Sequence, residues 1–182
     1  MVQGYYPPHD PYTAPKEYFA HYRDKGVPFA GYYASVTAID HEVGRILDAL
    51  ERNGQRHNTL VIFFADHGDT FFYRDDGEHK FVCTDDSIRI PFVLSWPAML
   101  PPNTSCERMV GLQDLMPTVL DAAGVAPPDG MHGMSVLPIA RGENAPWRDH
   151  YYVQNRTHRR SITQRDRKST RLNSSHTDIS RM

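Results

Sequence analysis

Apolar residues recur at spacings of three and four through Tyr32, Val36, Ile39, Val43, Ile46, Leu47 and Leu50, which predicts one face of a helix ending at Asn53-Gly54. The next stretch, residues 59–65, reads Thr-Leu-Val-Ile-Phe-Phe-Ala. It is apolar at nearly every position, the pattern of a central parallel strand covered on both faces rather than a half-exposed one. A second apolar stretch, residues 90–96, predicts another strand with Pro91 near its start, where a missing N–H is tolerated. Leu115, Met116, Val119, Leu120 and Ala123 again have helical spacing, with Asp114 as the expected cap, Pro117 in the first turn and Gly124 as the stop. Ahead of all these, Tyr5 to Tyr12 is dense in proline and predicts a rigid loop carrying His9. Helix, strand, strand, helix in this order predicts an α/β fold with a mainly parallel sheet flanked by helices.

Composition narrows the picture. With 182 residues the chain can enclose one hydrophobic core, and no apolar run approaches the roughly 20 residues needed to span a bilayer. No repeat is visible, and the Pro/Gly-rich stretch 126–133 reads as a surface connection. Cys83 and Cys106 are too few and too far apart for a disulfide framework or a zinc site. The net charge of −2 conceals an asymmetry: residues 1–155 carry 12 Lys and Arg against 20 Asp and Glu, whereas residues 156–182 carry 8 against 2. The basic end is rich in Ser, Thr and Arg and has no apolar period, so residues 167–182 are expected to be a disordered, non-native tail resembling translated adaptor sequence. No nucleic-acid partner is expected from it.

Chemistry is expected at the carboxyl ends of the strands, where open α/β sheets leave a crevice. Asp66 and His67 follow the first strand there, and a carboxylate beside an imidazole can hold a divalent cation, with Gly68 letting the backbone turn behind them. The tripeptide alone is equally compatible with an Asp that forms a turn next to an exposed His.

The surrounding order is more specific. Asp66-His67-Gly68-Asp69 is followed by Lys80 and, eight residues beyond it, by Ile88-Arg89-Ile90-Pro91. Upstream stands Pro8-His9-Asp10-Pro11-Tyr12, and downstream Asp114-Leu115-Met116-Pro117-Thr118-Val119-Leu120. Trp147-Arg148-Asp149 and Arg160-Ser161-Ile162-Thr163 read as late strands. Together these resemble the type I sulfatases of the alkaline phosphatase superfamily across about residues 3–165. The resemblance implies that residues 1–166 are the C-terminal portion of a sulfatase catalytic domain, a partial alkaline-phosphatase-like sandwich with its N-terminal strands missing. It implies Asp66 and His67 as metal ligands, Lys80 as a ligand of the sulfate oxygens, and His9 as the group that protonates the leaving alcohol. The cofactor it implies is a divalent metal, calcium first and manganese as the alternative. The substrate it implies is a small-molecule or glycan sulfate ester, and the favoured compartment is periplasmic or extracellular.

Other acidic and basic groups are weaker candidates. His79 is adjacent to Lys80, whereas the family's His stands a few residues before its lysine. Asp75, Asp76, Asp85 and Asp86 are expected to be solvated, with Asp85-Asp86 opening a short helix whose dipole favours them. The family's nucleophile is a formylglycine made within a (Cys or Ser)-x-Pro-x-Arg motif, and no such motif occurs in the sequence. The isolated chain is therefore expected to bind metal weakly, to turn nothing over and to expose one side of its sheet. Two alternatives stay open: a phosphonate or phosphate ester hydrolase on the same scaffold, and a non-catalytic module derived from a sulfatase.

Overall fold

The computed structural model describes residues 1–71, 80–155 and 158–163, in two compact units, Met1–His57 and Asn58–Met182. The proposed foreign tail and the candidates His79, Asp75 and Asp76 lie outside the described residues.

The first unit is a loop and two helices, α1 (Lys16–Phe19) and α2 (Ala30–Arg52). Helix α2 matches the expected stripe and stops where expected, with Asn53 as its C-cap and Gly54 at φ 66°. Its buried residues, however, are Gly31, Ala34 and Ser35. Val36 of the apolar stripe remains exposed, and the rest of the stripe is half-buried. The reason is close approach: a Cβ at position 31 would stand 1.9 Å from the carbonyl oxygen of Tyr12, so only glycine lets the N-terminal loop lie on the helix. Ser35 fastens the same loop by donating its hydroxyl proton to the Thr13 carbonyl at 2.8 Å.

In the second unit, β1 (Val61–Phe64) is followed by α3 (Asp85–Ile88), β2 (Phe92–Ser95), α4 (Leu115–Ala122), α5 (Leu137–Ala140), β3 (His150–Asn155) and β4 (His158–Thr163). Both expected strands and the expected second helix are present, and Pro91 immediately precedes β2. The pairing differs from expectation. Strand β1 pairs with β2 antiparallel, Val61 opposite Ser95 and Phe64 opposite Phe92, and β3 pairs with β4 antiparallel. No parallel pair occurs among the described residues. An apolar run reports how many faces of a strand are apolar and carries no information about the direction of its neighbour. Nor is β1 covered on both faces here: Phe63, Phe64 and Val93 are exposed.

Among the buried polar residues of this unit, Asp114 is fully buried. Asp114 precedes α4, yet its side chain makes no cap to that helix. Its carboxylate instead accepts from the backbone N–H groups of Gly111 (3.0 Å) and Met134 (2.9 Å) and from both terminal nitrogens of Arg148 (2.6 Å each). Thr118, also fully buried, donates to the Asp114 carbonyl and accepts from the Val136 N–H. These bonds tie α4, the approach to α5 and the approach to β3 together. Arg148 therefore lies in a buried ion pair just before β3, and the Trp147-Arg148-Asp149 segment is not itself a strand. Gly124, at φ 67°, ends the α4 region as expected.

Candidate active site

Asp66 and His67 stand just past the end of β1, as open α/β architecture predicts. The Asp66 side chain is 83% exposed and the His67 side chain 40%. Asp66 Oδ1 accepts from the His67 backbone N–H at 3.0 Å, and Asp66 Oδ2 lies 3.5 Å from His67 Nε2. His67 Nδ1 is 2.7 Å from the Gly68 carbonyl oxygen. A carbonyl can only accept, so Nδ1 carries the proton and, in the neutral ring, Nε2 presents its lone pair on the side of the Asp66 carboxylate. That is the tautomer a metal-ligating histidine needs, fixed by a bond to its other nitrogen.

These two residues fit a divalent cation. Two ligands 3.5 Å apart can share one ion at bonds of about 2.0–2.2 Å. They are a pair only: among the described residues no group of three or more His, Cys, Asp or Glu side chains converges on a metal-sized site.

The role of Gly68 differs from the expected sharp turn. Its φ is not in the left-handed region, and the constraint is contact: a Cβ would stand 2.0 Å from the carbonyl oxygen of Asp86. The Gly68 N–H donates to the Ser87 carbonyl at 2.7 Å, so the turn behind the candidate ligands is fastened to α3. Helix α3 is in turn held by Arg160 of β4, whose guanidinium pairs with the Asp85 carboxylate and donates to the Cys83 carbonyl at 3.3 Å. The expected acidic opening of a short helix is thus present, with Asp85 ion-paired as well as solvated. Sequence spacing gave no sign of this Arg160 partner, because the two residues are 75 positions apart.

Lys80 is half-buried, and its ammonium lies 5.8 Å from the centroid of the Phe81 ring, within range of a cation–π contact. Asp69 Oδ1 accepts from the Phe71 N–H at 2.7 Å, a local turn bond rather than a ligand arrangement.

His9 belongs to the first unit, and Asp66, His67 and Lys80 to the second. His9 Nδ1 is 2.7 Å from the Asp10 carbonyl oxygen and 3.0 Å from Asp10 Oδ1, and the Tyr6 hydroxyl lies 3.1 Å from the same nitrogen. Two of these three partners are obligate acceptors, so Nδ1–H donates here as well.

Comparison with known proteins agrees with this frame. The sulfatase family model matches residues 1–125. An arylsulfatase of Clostridium perfringens is 30% identical over an alignment covering 80% of this chain and 38% of that protein. An endo-4-O-sulfatase of Bacteroides thetaiotaomicron is also 30% identical, over 80% of this chain and 33% of its own length. Among solved structures, a 2-O glycosaminoglycan sulfatase superposes with a TM-score of 0.65 at 20% identity, covering 90% of this chain and 44% of that one. A phosphonate monoester hydrolase of Silicibacter pomeroyi gives a TM-score of 0.62 at 31% identity, over 68% of this chain and 24% of that one.

The fold is α/β and, in part, that of the alkaline-phosphatase-like hydrolases. The chain belongs to the sulfatase family. It spans between a third and two fifths of the length of the two curated relatives. Enzymes of this family use a divalent metal and a formylglycine.

Proposed function

We propose that the protein acts in the metal-dependent hydrolysis of sulfate esters, with a small-molecule or glycan ester as substrate. The observation that carries this reading is the Asp66–His67 pair at a strand end, with the imidazole tautomer set for ligation by the Gly68 carbonyl, inside a sequence matched by the sulfatase family model. Residues 1–166 are then the C-terminal portion of a sulfatase catalytic domain; that the chain covers 38% and 33% of the relatives' lengths supports its being a part of such a domain.

In this reading Asp66 and His67 hold the cation, calcium first and manganese as the alternative. Bound there, the cation supplies positive charge to the ester's non-bridging oxygens. Lys80 adds a second positive charge to those oxygens, and His9 delivers a proton to the departing oxygen. The roles are chemically complementary, because the charge to be neutralised and the proton to be delivered belong to opposite ends of the bond that breaks. The sequence contains no (Cys or Ser)-x-Pro-x-Arg motif, and no nucleophilic step is assigned to any residue of this chain.

Phosphonate ester hydrolysis is the second reading, favoured by the Silicibacter pomeroyi structure at 31% identity and by the imidazole ligand, which suits manganese better than calcium. The two separate experimentally. The protein expressed from the complete open reading frame of its gene is assayed on 4-nitrophenyl sulfate and on 4-nitrophenyl phenylphosphonate, with calcium or manganese supplied. Preference for the sulfate ester supports the proposal, whereas preference for the phosphonate replaces it.

A further inference from the structure

The loop around His9 contains more than a histidine. The Tyr6 and His9 rings are 4.9 Å apart at 35°, and the Tyr6 hydroxyl reaches both His9 Nδ1 (3.1 Å) and the Asp10 carbonyl (3.3 Å). The hydroxyl proton is directed to that carbonyl, which can only accept, so the Tyr6 oxygen faces the His9 Nδ1 proton. Three oxygens thus surround one nitrogen: the Tyr6 hydroxyl, the Asp10 carbonyl and the Asp10 carboxylate. The carboxylate oxygen, at 3.0 Å, is a further acceptor facing the same ring nitrogen.

We propose that Tyr6 and Asp10 are positioning residues that grip His9 through Nδ1 and thereby assign Nε2 as the atom that protonates the leaving oxygen of the ester. The proposal rests on the reading of His9 as the leaving-group acid. In the step it serves, an oxygen nucleophile forms its bond to sulfur as the S–O bond to the leaving group breaks, the electron pair of the broken bond stays on the leaving oxygen, and that oxygen takes the Nε2 proton. His9 is left neutral with its proton on Nδ1, the form the three oxygens hold. Tyr6 and Asp10 touch neither ester nor metal in this account and act only through the ring.

Two measurements test it. The first is the tautomer of neutral His9, read from long-range nitrogen–proton NMR correlations on histidine-labelled full chain, with the resonance assigned by His9→Gln. The expected state is Nδ1–H in the wild type, with Nε2–H gaining population in Tyr6→Phe and Asp10→Asn. A wild-type Nε2–H tautomer would overturn the positioning role while leaving the sulfatase reading standing.

The second measurement is kcat on a sugar sulfate and on 4-nitrophenyl sulfate for the same variants, made from the complete open reading frame. A sugar alkoxide needs a proton to leave and 4-nitrophenolate needs it far less. The variants should therefore lose roughly tenfold or more on the sugar ester, a fraction of the roughly 10²–10⁴ that acid catalysis supplies, and several-fold less on the aryl ester. Equal losses on both esters would mean general damage and sink the proposal. A wild-type protein inert on both would overturn the sulfatase reading and, with it, the proton-donating half of this one; the tautomer result judges the other half independently.

Discussion

His67 and His9 are held by the same device at two places in the chain. In each, Nδ1 faces the carbonyl of the following residue at 2.7 Å, and Nε2 is the nitrogen to which the proposed chemistry is assigned. The role proposed for His67 is ligation, and its proposed companion, Asp66, is mostly solvated. Replacing Asp66 with Asn removes the anionic ligand while keeping its shape, and divalent-ion affinity by titration calorimetry should fall about tenfold or more, or at least about 1.4 kcal/mol. Unchanged affinity would place the ion elsewhere. Gly68 tests the support behind the pair. A methyl group at this position would collide with the Asp86 carbonyl, a backbone atom that cannot swing away, so Gly68→Ala should lower stability by about 1–3 kcal/mol in chemical denaturation. Its metal affinity should fall too, because the turn and α3 must separate.

Much at this scale was legible in the sequence. The resemblance to the type I sulfatases singles out Asp66, His67, Lys80 and His9, whose roles stand as proposals, whereas the reason for Gly68 is not visible in the sequence. A glycine needed for a left-handed turn and one needed for close approach look identical in a sequence, and only the position of Asp86 tells them apart. The Tyr6 and Asp10 contacts to His9 were equally hidden, since the proline-rich pattern predicts rigidity and does not say which side chains the rigid loop brings together.

At the scale of elements, the second unit depends on a buried ion pair. Asp114 is fully buried and the Arg148 side chain is 11% exposed, so neither charge has solvent to fall back on. The hydrogen bonds Arg148 donates to Asp114, with that carboxylate's charge, raise the Arg148 pKa above its usual value, against the effect of burial. Asp114→Asn should cost about 3–5 kcal/mol in thermal or chemical unfolding, because it leaves the guanidinium buried without its counter-charge. Pairing it with Arg148→Met should recover part of the loss, and a double variant worse than the single one would contradict this account.

Tyr151 adds a pH signature to the same region. Burial pushes its phenol above the usual value near 10, Asp114 adds to the rise, and Arg148 opposes it. A raised pKa in the folded state means that the stabilisation is complete below the unfolded value near 10 and is lost as pH rises through the folded one. Tyr151→Phe should therefore show a shallower fall in melting temperature between about pH 9 and 11 than the wild type. Equal slopes would show that this phenol does not titrate differently on folding.

Helix positions were the most legible part of the fold. The α2 stripe and its Asn53-Gly54 stop, and α4 (Leu115–Ala122) with Gly124 after it, are local patterns set by a 3.6-residue period and by turn chemistry. Strand direction and the Asp114 network were not legible. Both depend on which distant segments meet: β1 meets β2 in antiparallel register, and Asp114 meets Arg148 across 34 positions. The aspartate looked like a helix cap because it stands where a cap would, but its carboxylate is drawn to a charged donor and two backbone N–H groups on other segments instead.

For the whole molecule, a sulfatase-family sequence carries a candidate pair of metal ligands at a strand end in one unit and a histidine held through Nδ1 in the other. Phe63 with its cross-strand partner Val93 on one face, and Phe64 on the other, are exposed, which leaves apolar side chains open on both faces of β1 and β2. Concentrated solutions of the chain should therefore self-associate more readily than those of a Phe64→Lys variant, as measured by light scattering. Equal scattering would mean that this surface is already covered in solution.

The most direct test of the central claim is 4-nitrophenyl sulfate turnover by the protein from its complete open reading frame, with and without divalent metal, for the wild type and for His67→Ala. The account predicts hydrolysis that a chelator abolishes, that added calcium or manganese restores, and that His67→Ala lowers by about 10²-fold or more at subsaturating metal, as expected when a ligand is lost from a catalytic ion. Turnover indifferent to both the chelator and His67 would contradict the assignment of the metal site to this pair.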